Sequence, residues 1–215
     1  MRQDVRIGKG AIICMNKELF KLKDSNYIIP INYLQTKNNK NGGCIMEFSE
    51  VVKKRYSCKK FDGRKVEKEK INEILEAGRL APTAKNLQEQ KIYILESEEM
   101  LTKIDKLTPC RYGASTVIVV AFDKNNVFTY PGDKRDSGVE DATIVATHMM
   151  LAATNAGVDS CWINFFNPDD AKKELGLSDN EEVLMIMDLG YAAPDTKPLE
   201  NHNSRKPLSE TVKFC

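Results

Sequence analysis

From Ala142 to Val158 the chain carries no Asp, Glu, Lys or Arg, in a sequence where 29% of residues are charged. A stretch so free of charge must be buried by protein or by lipid. It is shorter than the roughly 20 residues of a membrane span and contains Thr143, Thr147 and Thr154, so burial in protein is the better reading. Val145, Met149 and Ala153 fall on one side at helical spacing and Ile144 and Leu151 on another. That pattern predicts a helix covered nearly all round, at the centre of a domain or at a subunit interface. Ser137 and Glu140 form an S-x-x-E capping box that sets its start.

The other elements arrange themselves around this helix. Phe48, Val51 and Val52 give an opening helix one apolar side before Arg55. Ile71, Ile74 and Leu75 mark a second helix, with Glu67 and Glu69 in its first turn and Pro82 beyond its end. Lys91–Leu95, Thr116–Phe122, Asp159–Phe165 and Glu182–Leu189 read as strands. Ser97 can cap a short helix, and Asn167-Pro168 opens another that Gly176 closes. The segment from Pro194 to Cys215 is polar and reads as extended. Alternation in this order implies α/β or α+β layering, with helices against a sheet.

With 215 residues the chain can form one domain with a substantial core and an appendage. Residues 1–45 lack sustained periodicity and end in the turn-prone run Lys37–Gly43. The codons of Gly42-Gly43 can spell a bacterial ribosome-binding sequence just upstream of Met46. Met46 is therefore read as the natural start and 1–45 as a translated leader, with a genuine N-terminal extension as the alternative; 46–215 is the functional domain. A net charge of +1 disfavours nucleic acid as the main partner. Six cysteines without a C-x-x-C pair indicate neither a metal site nor a disulfide framework, and reduced thiols in a cytoplasm are the expectation. No signal-peptide core and no membrane span are evident.

Three clusters carry chemistry. In Arg55-Tyr56-Ser57-Cys58-Lys59-Lys60-Phe61, an extended backbone would project Arg55, Ser57 and Lys59 to one side, two cations around a hydroxyl. Such a set suits a phosphate, at roughly 1.5–3 kcal/mol per charge-assisted hydrogen bond; a solvated basic surface is the alternative. Ala81-Pro82-Thr83-Ala84-Lys85-Asn86-Leu87-Gln88 breaks a helix and offers two side-chain amides two residues apart. These could meet a ring edge of mixed donors and acceptors, or simply close a turn. Arg205-Lys206-Pro207-Leu208 can complete a phosphate site if the tail folds back over its own subunit or a neighbour. Cys58 stands among cations that could activate it, or is a bystander thiol. No G-x-G-x-x-G, P-loop or G-x-S-x-G motif is present.

These clusters resemble the nitroreductase family, over about Met46 to Phe214. Arg55–Phe61 is similar to the family's R-x-S-x-[RK]-x-F, and Ala81–Gln88 to its A-P-[ST]-A-x-N-x-Q. Asp141 with the apolar helix, Gly157–Ile163, and Gly190-Tyr191 with Arg205–Leu208 match its later motifs in order. The resemblance implies an α+β fold, a central mixed sheet flanked by helices, in a homodimer with an extended C-terminal tail and FMN at each interface. Carried over by position, Arg55, Ser57, Lys59 and Arg205 would hold the phosphate and ribityl chain, with Tyr56 beside them. Pro82, Thr83, Asn86 and Gln88 would contact the cofactor from the partner subunit or the same pocket, and Trp162, Ile163 and Asn164 would run along the ring. The family commonly has glycine or an acid around Asn164, a departure that leaves the group nearest the flavin N5 open.

The function so implied is NAD(P)H-dependent reduction of nitroaromatics, quinones or similar small acceptors by a ping-pong route, the flavin carrying the chemistry and no side chain acting as catalyst. A specialised reaction (flavin reduction, reductive dehalogenation, dehydrogenation) and a non-catalytic flavin-binding or redox-sensing protein are the alternatives. Neither a nucleic-acid nor a membrane partner is expected.

Overall fold

The computed structural model describes residues 46–215 throughout and, before them, the strands β1 (Val5–Ile7), β2 (Ala11–Cys14), β3 (Phe20–Lys21) and β4 (Tyr27–Pro30). Contacts divide the chain into two units, 1–45 and 46–215. In the first, the four strands pair in the order β1-β2-β4-β3. The leader-or-extension reading rests on residues that mostly lie outside those described.

The second unit is built on the sheet β5-β6-β8-β7, with β5 Gln90–Leu95, β6 Thr116–Asp123, β7 Asp159–Ile163 and β8 Glu181–Gly190. All its ladders are antiparallel. The parallel component of the expected mixed sheet is confined to a single bridge, Ser57 beside Ser160 on the edge strand β7. β6 is an unbroken apolar run because both its faces are covered. Ile118, Val120 and Phe122 face one layer, built by α2 (Lys68–Arg79) and α4 (Gly138–Asn155). Val117, Val119 and Ala121 face the other, with α3 (Glu98–Leu107) and α5 (Pro168–Leu175). A bulge opposite Val120/Ala121 inserts Leu184 into β8, so Val183 and Met185 point to opposite layers despite standing two apart.

α4 is central but is buried on one face within the chain rather than nearly all round: Val145, Ala146, Met149 and Ala153 are fully buried, whereas Ile144 and Leu151 on the other side are half-buried and His148 is exposed. Burial of an Ile or Met side chain stabilises by about 1.5–3 kcal/mol, so this seam with Ile74 and Ile118 is a main source of stability. Gly78 lets α2 approach closely, since a Cβ there would lie 2.7 Å from Met149 Cγ.

Local signals held wherever the side chain had no better partner. Ser97 Oγ accepts the Met100 N–H, Asn167 Oδ1 accepts those of Asp169 and Asp170, and Gly176 closes α5 in the left-handed region at φ 68°. The Ser137–Glu140 capping box does not form. Ser137 Oγ instead accepts the Phe128 N–H and reaches Glu89, while Glu140 accepts from Tyr130 Oη. Asp136 serves the helix start, accepting the Gly138 N–H at 2.9 Å. β7 ends at Ile163, short of the expected Phe165, because Phe166 N–H turns back to the Asn164 carbonyl. The tail is not wholly extended: it holds a 3-10 turn, Glu200–Asn203, and the short helix α6, Leu208–Thr211.

Candidate functional site

α1 (Phe48–Lys54) delivers the basic cluster to the sheet edge. Arg55 N–H closes the helix on Val51 O, and Cys58 N–H then donates to Ser160 O at 2.9 Å, so Ser57 lies beside β7. Phe61 N–H donates to Tyr112 O and Asp62 N–H to Tyr191 O, anchoring the far end of the segment. Gly190 is required here, because a Cβ would stand 2.9 Å from the Phe61 ring. Tyr191 bonds through its hydroxyl to Glu67 and Lys70, tying this junction to the start of α2.

Above this edge the tail returns and closes a cleft of about 190 Å³ lined by Arg55, Ser57, Leu199, Asn201, His202 and Arg205. Three of the four residues assigned to a phosphate are therefore together, although Arg205 lies far from Arg55 in sequence. Arg205 Nη1 donates to the carbonyls of His202 and Ser204 at 2.6 and 2.7 Å, which fixes the guanidinium to the tail turn. Tyr56 stands edge-on to His202 at 6.5 Å between ring centroids. Burial, and then the Asp159 carboxylate, push the Tyr56 phenol well above its ordinary range, so it is a neutral hydroxyl. Two guanidinium groups, a hydroxyl, an amide and an imidazole form a donor-rich cleft that fits a phosphate monoester.

Lys59 does not line this cleft. Its ammonium donates to Tyr112 Oη at 3.2 Å and contacts Cys161 Sγ at 3.5 Å, with the Tyr112 ring 4.7 Å away. Burial works against its charge, but the hydrogen bond to Tyr112 prevails and holds its pKa above the usual lysine value. Cys58 is fully buried and burial pushes its thiol up, so of the two readings of that residue the bystander fits.

The amide cluster forms a tight turn. Lys85, Asn86 and Gln88 adopt left-handed φ values of 51°, 57° and 54°. Gln88 N–H donates to Thr83 Oγ1, and Gln88 Nε2 to Asn86 O. Pro82, Asn86 and Gln88 are exposed, and Thr83 is half-buried. Ala84 N–H donates to Asp141 Oδ1 at 2.9 Å, which fixes the turn at the first turn of α4. Arg55 and Tyr56 line a hollow with Thr154, Gly157 and Asp159, at the other end of the same helix. From Asp141 to Thr154 the axis rises about 20 Å, at about 1.5 Å per residue. Within one chain the structure thus brings the first and third clusters together and keeps the second apart.

Trp162, Ile163 and Asn164 follow Ser160 along and beyond β7. Trp162 Nε1 donates to Asn164 Oδ1 at 2.8 Å; Trp162 is half-buried and Asn164 exposed. Ile163 points to the opposite layer and is buried there. Asn201 and His202 were not anticipated from sequence. The one available signal was that His202, one of two histidines in the chain, stands three residues before Arg205.

Residues 52–112 and 109–191 match the family model of the nitroreductase family. A nitroreductase family protein of Clostridium difficile 630 is 40% identical, covers 79% of this chain and 98% of its own, and superposes with a TM-score of 0.74. An FMN-dependent nitroreductase of Clostridium difficile R20291 is 28% identical, with 76% of this chain and 96% of that one covered and a TM-score of 0.62. MhqN of Bacillus subtilis, an NAD(P)H nitroreductase by name alone, is 25% identical over 78% of this chain and 98% of its own.

Proposed function

Because the chain belongs to the nitroreductase family, we propose that it is an FMN-dependent oxidoreductase, a cytoplasmic homodimer that takes electrons from NADH or NADPH. It passes them to a nitroaromatic, a quinone or a similar small acceptor in a ping-pong cycle, donor and acceptor using one site in turn. The observation that carries the reading is the cleft in which Arg55, Ser57 and Arg205 converge. The functional domain is residues 46–215.

FMN, when bound, supplies the acceptance and release of hydride equivalents. The chain's own part is to bind and orient. Arg55, Ser57 and Arg205 hold the phosphate, with Asn201 and His202 as further donors and Tyr56 backing His202 edge-on. Trp162 and Asn164 bound the neighbouring surface along β7. Asn86 and Gln88 offer their amides to the pyrimidine edge. The length of α4 between the two groups of residues favours their supply by two copies of the chain. Exposed apolar side chains flank both: Phe48 and Val52 on α1, and Leu80 and Val139 near the amide turn. A second copy covering these positions completes each site. Among the described residues no helix is long and apolar enough to cross a membrane.

The direct test is FMN binding by Arg55→Ala. Loss of a charge-assisted contact of about 1.5–3 kcal/mol weakens the Kd by about 10–100-fold. An unchanged Kd would remove the phosphate assignment. NADH:quinone turnover by the flavin-loaded protein separates an enzyme from a flavin binder, and light scattering gives the number of copies.

A further inference from the structure

The turn that carries Asn86 and Gln88 needs support from outside itself. Three of its residues occupy the left-handed region without being glycine, which is unfavourable unless the surroundings enforce it. The support comes from beneath. Asp141 accepts the Ala84 N–H, and Glu89, the residue directly after Gln88, is 2% exposed while Asp141 is 4% exposed. Ser137 Oγ reaches Glu89 Oε1 at 3.5 Å, and the Glu89 carbonyl accepts the Asp123 N–H at 2.9 Å. The second oxygen of each carboxyl, Glu89 Oε2 and Asp141 Oδ2, is buried and unpartnered. Both carboxyls are gathered at the start of α4: Glu89 meets Ser137, whose carbonyl in turn accepts the Asp141 N–H at 2.8 Å. Two carboxylates can only repel, whereas one proton between them makes a donor of one and satisfies both.

We propose that Glu89 and Asp141 share a single proton, and that this acid pair is the clasp positioning the amide turn on α4, so that the hold on the flavin's pyrimidine edge weakens as the proton is lost. The assignment of the turn to FMN rests on the function proposed above; the clasp itself rests on the buried pair.

Burial, and then the hydrogen bond with Asp141, push Glu89 up to about 7. The proton on Glu89 is therefore present below that pH and lost above it. No cation among the described residues is paired with either carboxyl. Lys85 places its ammonium 4.6 Å from the Phe128 ring centre, and Arg135 pairs with Glu140 at 3.8 Å. Asp136 is bonded to Gly138 N–H and Asp123 to Asn125 N–H. The N-terminus of α4 favours negative charge in its first turn, where Asp141 lies together with Glu140. Glu89 and Asp141 are positioning residues: they act on the cofactor only through the turn.

Two measurements at pH 6 and pH 8.5 test this. In the wild type the FMN Kd is expected to rise about tenfold, equivalent to about one pK unit of coupling. Hydrogen exchange of residues 83–88 in flavin-free protein, corrected for intrinsic rates, is expected to lose protection over the same interval. Glu89→Gln supplies a fixed N–H donor to Asp141 and should flatten both profiles near their pH 6 values. Asp141→Asn, which keeps an acceptor for Ala84 and donates to Glu89, is the second variant should the first fail to fold. Protection that falls with pH in the wild type alone, with no FMN bound at either pH, upholds the clasp and refutes the cofactor reading. Flat wild-type profiles with FMN tightly bound, or variants that track the wild type, overturn the clasp.

Discussion

Asp188 is a buried, unpartnered carboxyl in the core, and its replacement should reveal the cost of that burial as a slope against pH. It lies on β8 between Val117 and Cys161, is fully buried, and neither carboxyl oxygen has a hydrogen-bond partner. Burial pushes its pKa up to about 9. The nearby Arg111 guanidinium opposes that rise, but it is already engaged by both oxygens of Asp105 at 2.6 Å and by Ala114 O. The folded state thus holds a proton that the unfolded chain, with a carboxyl pKa of about 3.9, releases. Protons bound preferentially by the folded state make stability fall as pH rises, from about pH 4 until the folded pKa is passed. At pH 7 the deficit is about three pK units, or about 4 kcal/mol at 1.36 kcal/mol each, as an upper bound.

Asp188→Asn removes the titration while keeping the shape. Its amide brings N–H donors that need partners, at a penalty of about 1–3 kcal/mol, so the net gain at pH 7 is smaller than the deficit. The penalty does not depend on pH, and the slope survives it. Urea unfolding of both proteins at pH 5, 6, 7 and 8 should show the difference in stability moving in favour of the variant by about 1.4 kcal/mol per unit. Glu89 titrates in both proteins and cancels in that difference. A difference that stays constant across the series would show that Asp188 is ionised in the folded protein, and the reasoning from burial would fail.

Two other outcomes follow from packing and from the placement of the site. At Gly138 a Cβ would stand 2.2 Å from Phe122 Cε2 and 2.5 Å from Cδ2, in a ring that is itself buried. Gly138→Ala should therefore cost about 3 kcal/mol and lower the melting temperature by several degrees; an unchanged melting curve would mean that the ring is free to move. Mixing Arg55→Ala subunits with Asn86→Ala subunits should restore FMN binding to about one quarter of sites, since half of the dimers are mixed and each of those holds one intact site. No recovery on mixing would place both residues in a site made by a single chain.

What was legible in the sequence was local chemistry. The caps at Ser97 and Asn167 and the stop at Gly176 are decided within a few residues, and each is as the sequence indicates. Ser137 and Glu140 carry an equally good local signal, yet Phe128, Glu89 and Tyr130 are better partners, and these belong to other segments. Lys59 illustrates the same limit within the site. Strand alternation places it with Arg55 and Ser57, but only Ser57 forms a bridge, and beyond it the segment turns to meet Tyr112. Asn201 and His202 enter the cleft because the tail returns over the sheet edge, a path that no periodicity encodes.

The uncharged helix that dictates the layering also sets the geometry of the proposed site. A helix whose inner face is locked into the core cannot be shortened or tilted without opening it, so the separation of its ends is as rigid as the packing around Val145 and Met149. One end holds the amide turn through Asp141, and the other borders Arg55 and Tyr56. Flexibility in a single chain cannot bring the two together, because the distance is spanned by a continuous helix packed into the core. A two-fold arrangement resolves this, since it sets the start of one helix near the end of its mate and does so twice. On this view the assembly is a condition of cofactor binding. Dilution below the dimer's dissociation constant should then release FMN and dissociate the subunits in a single transition.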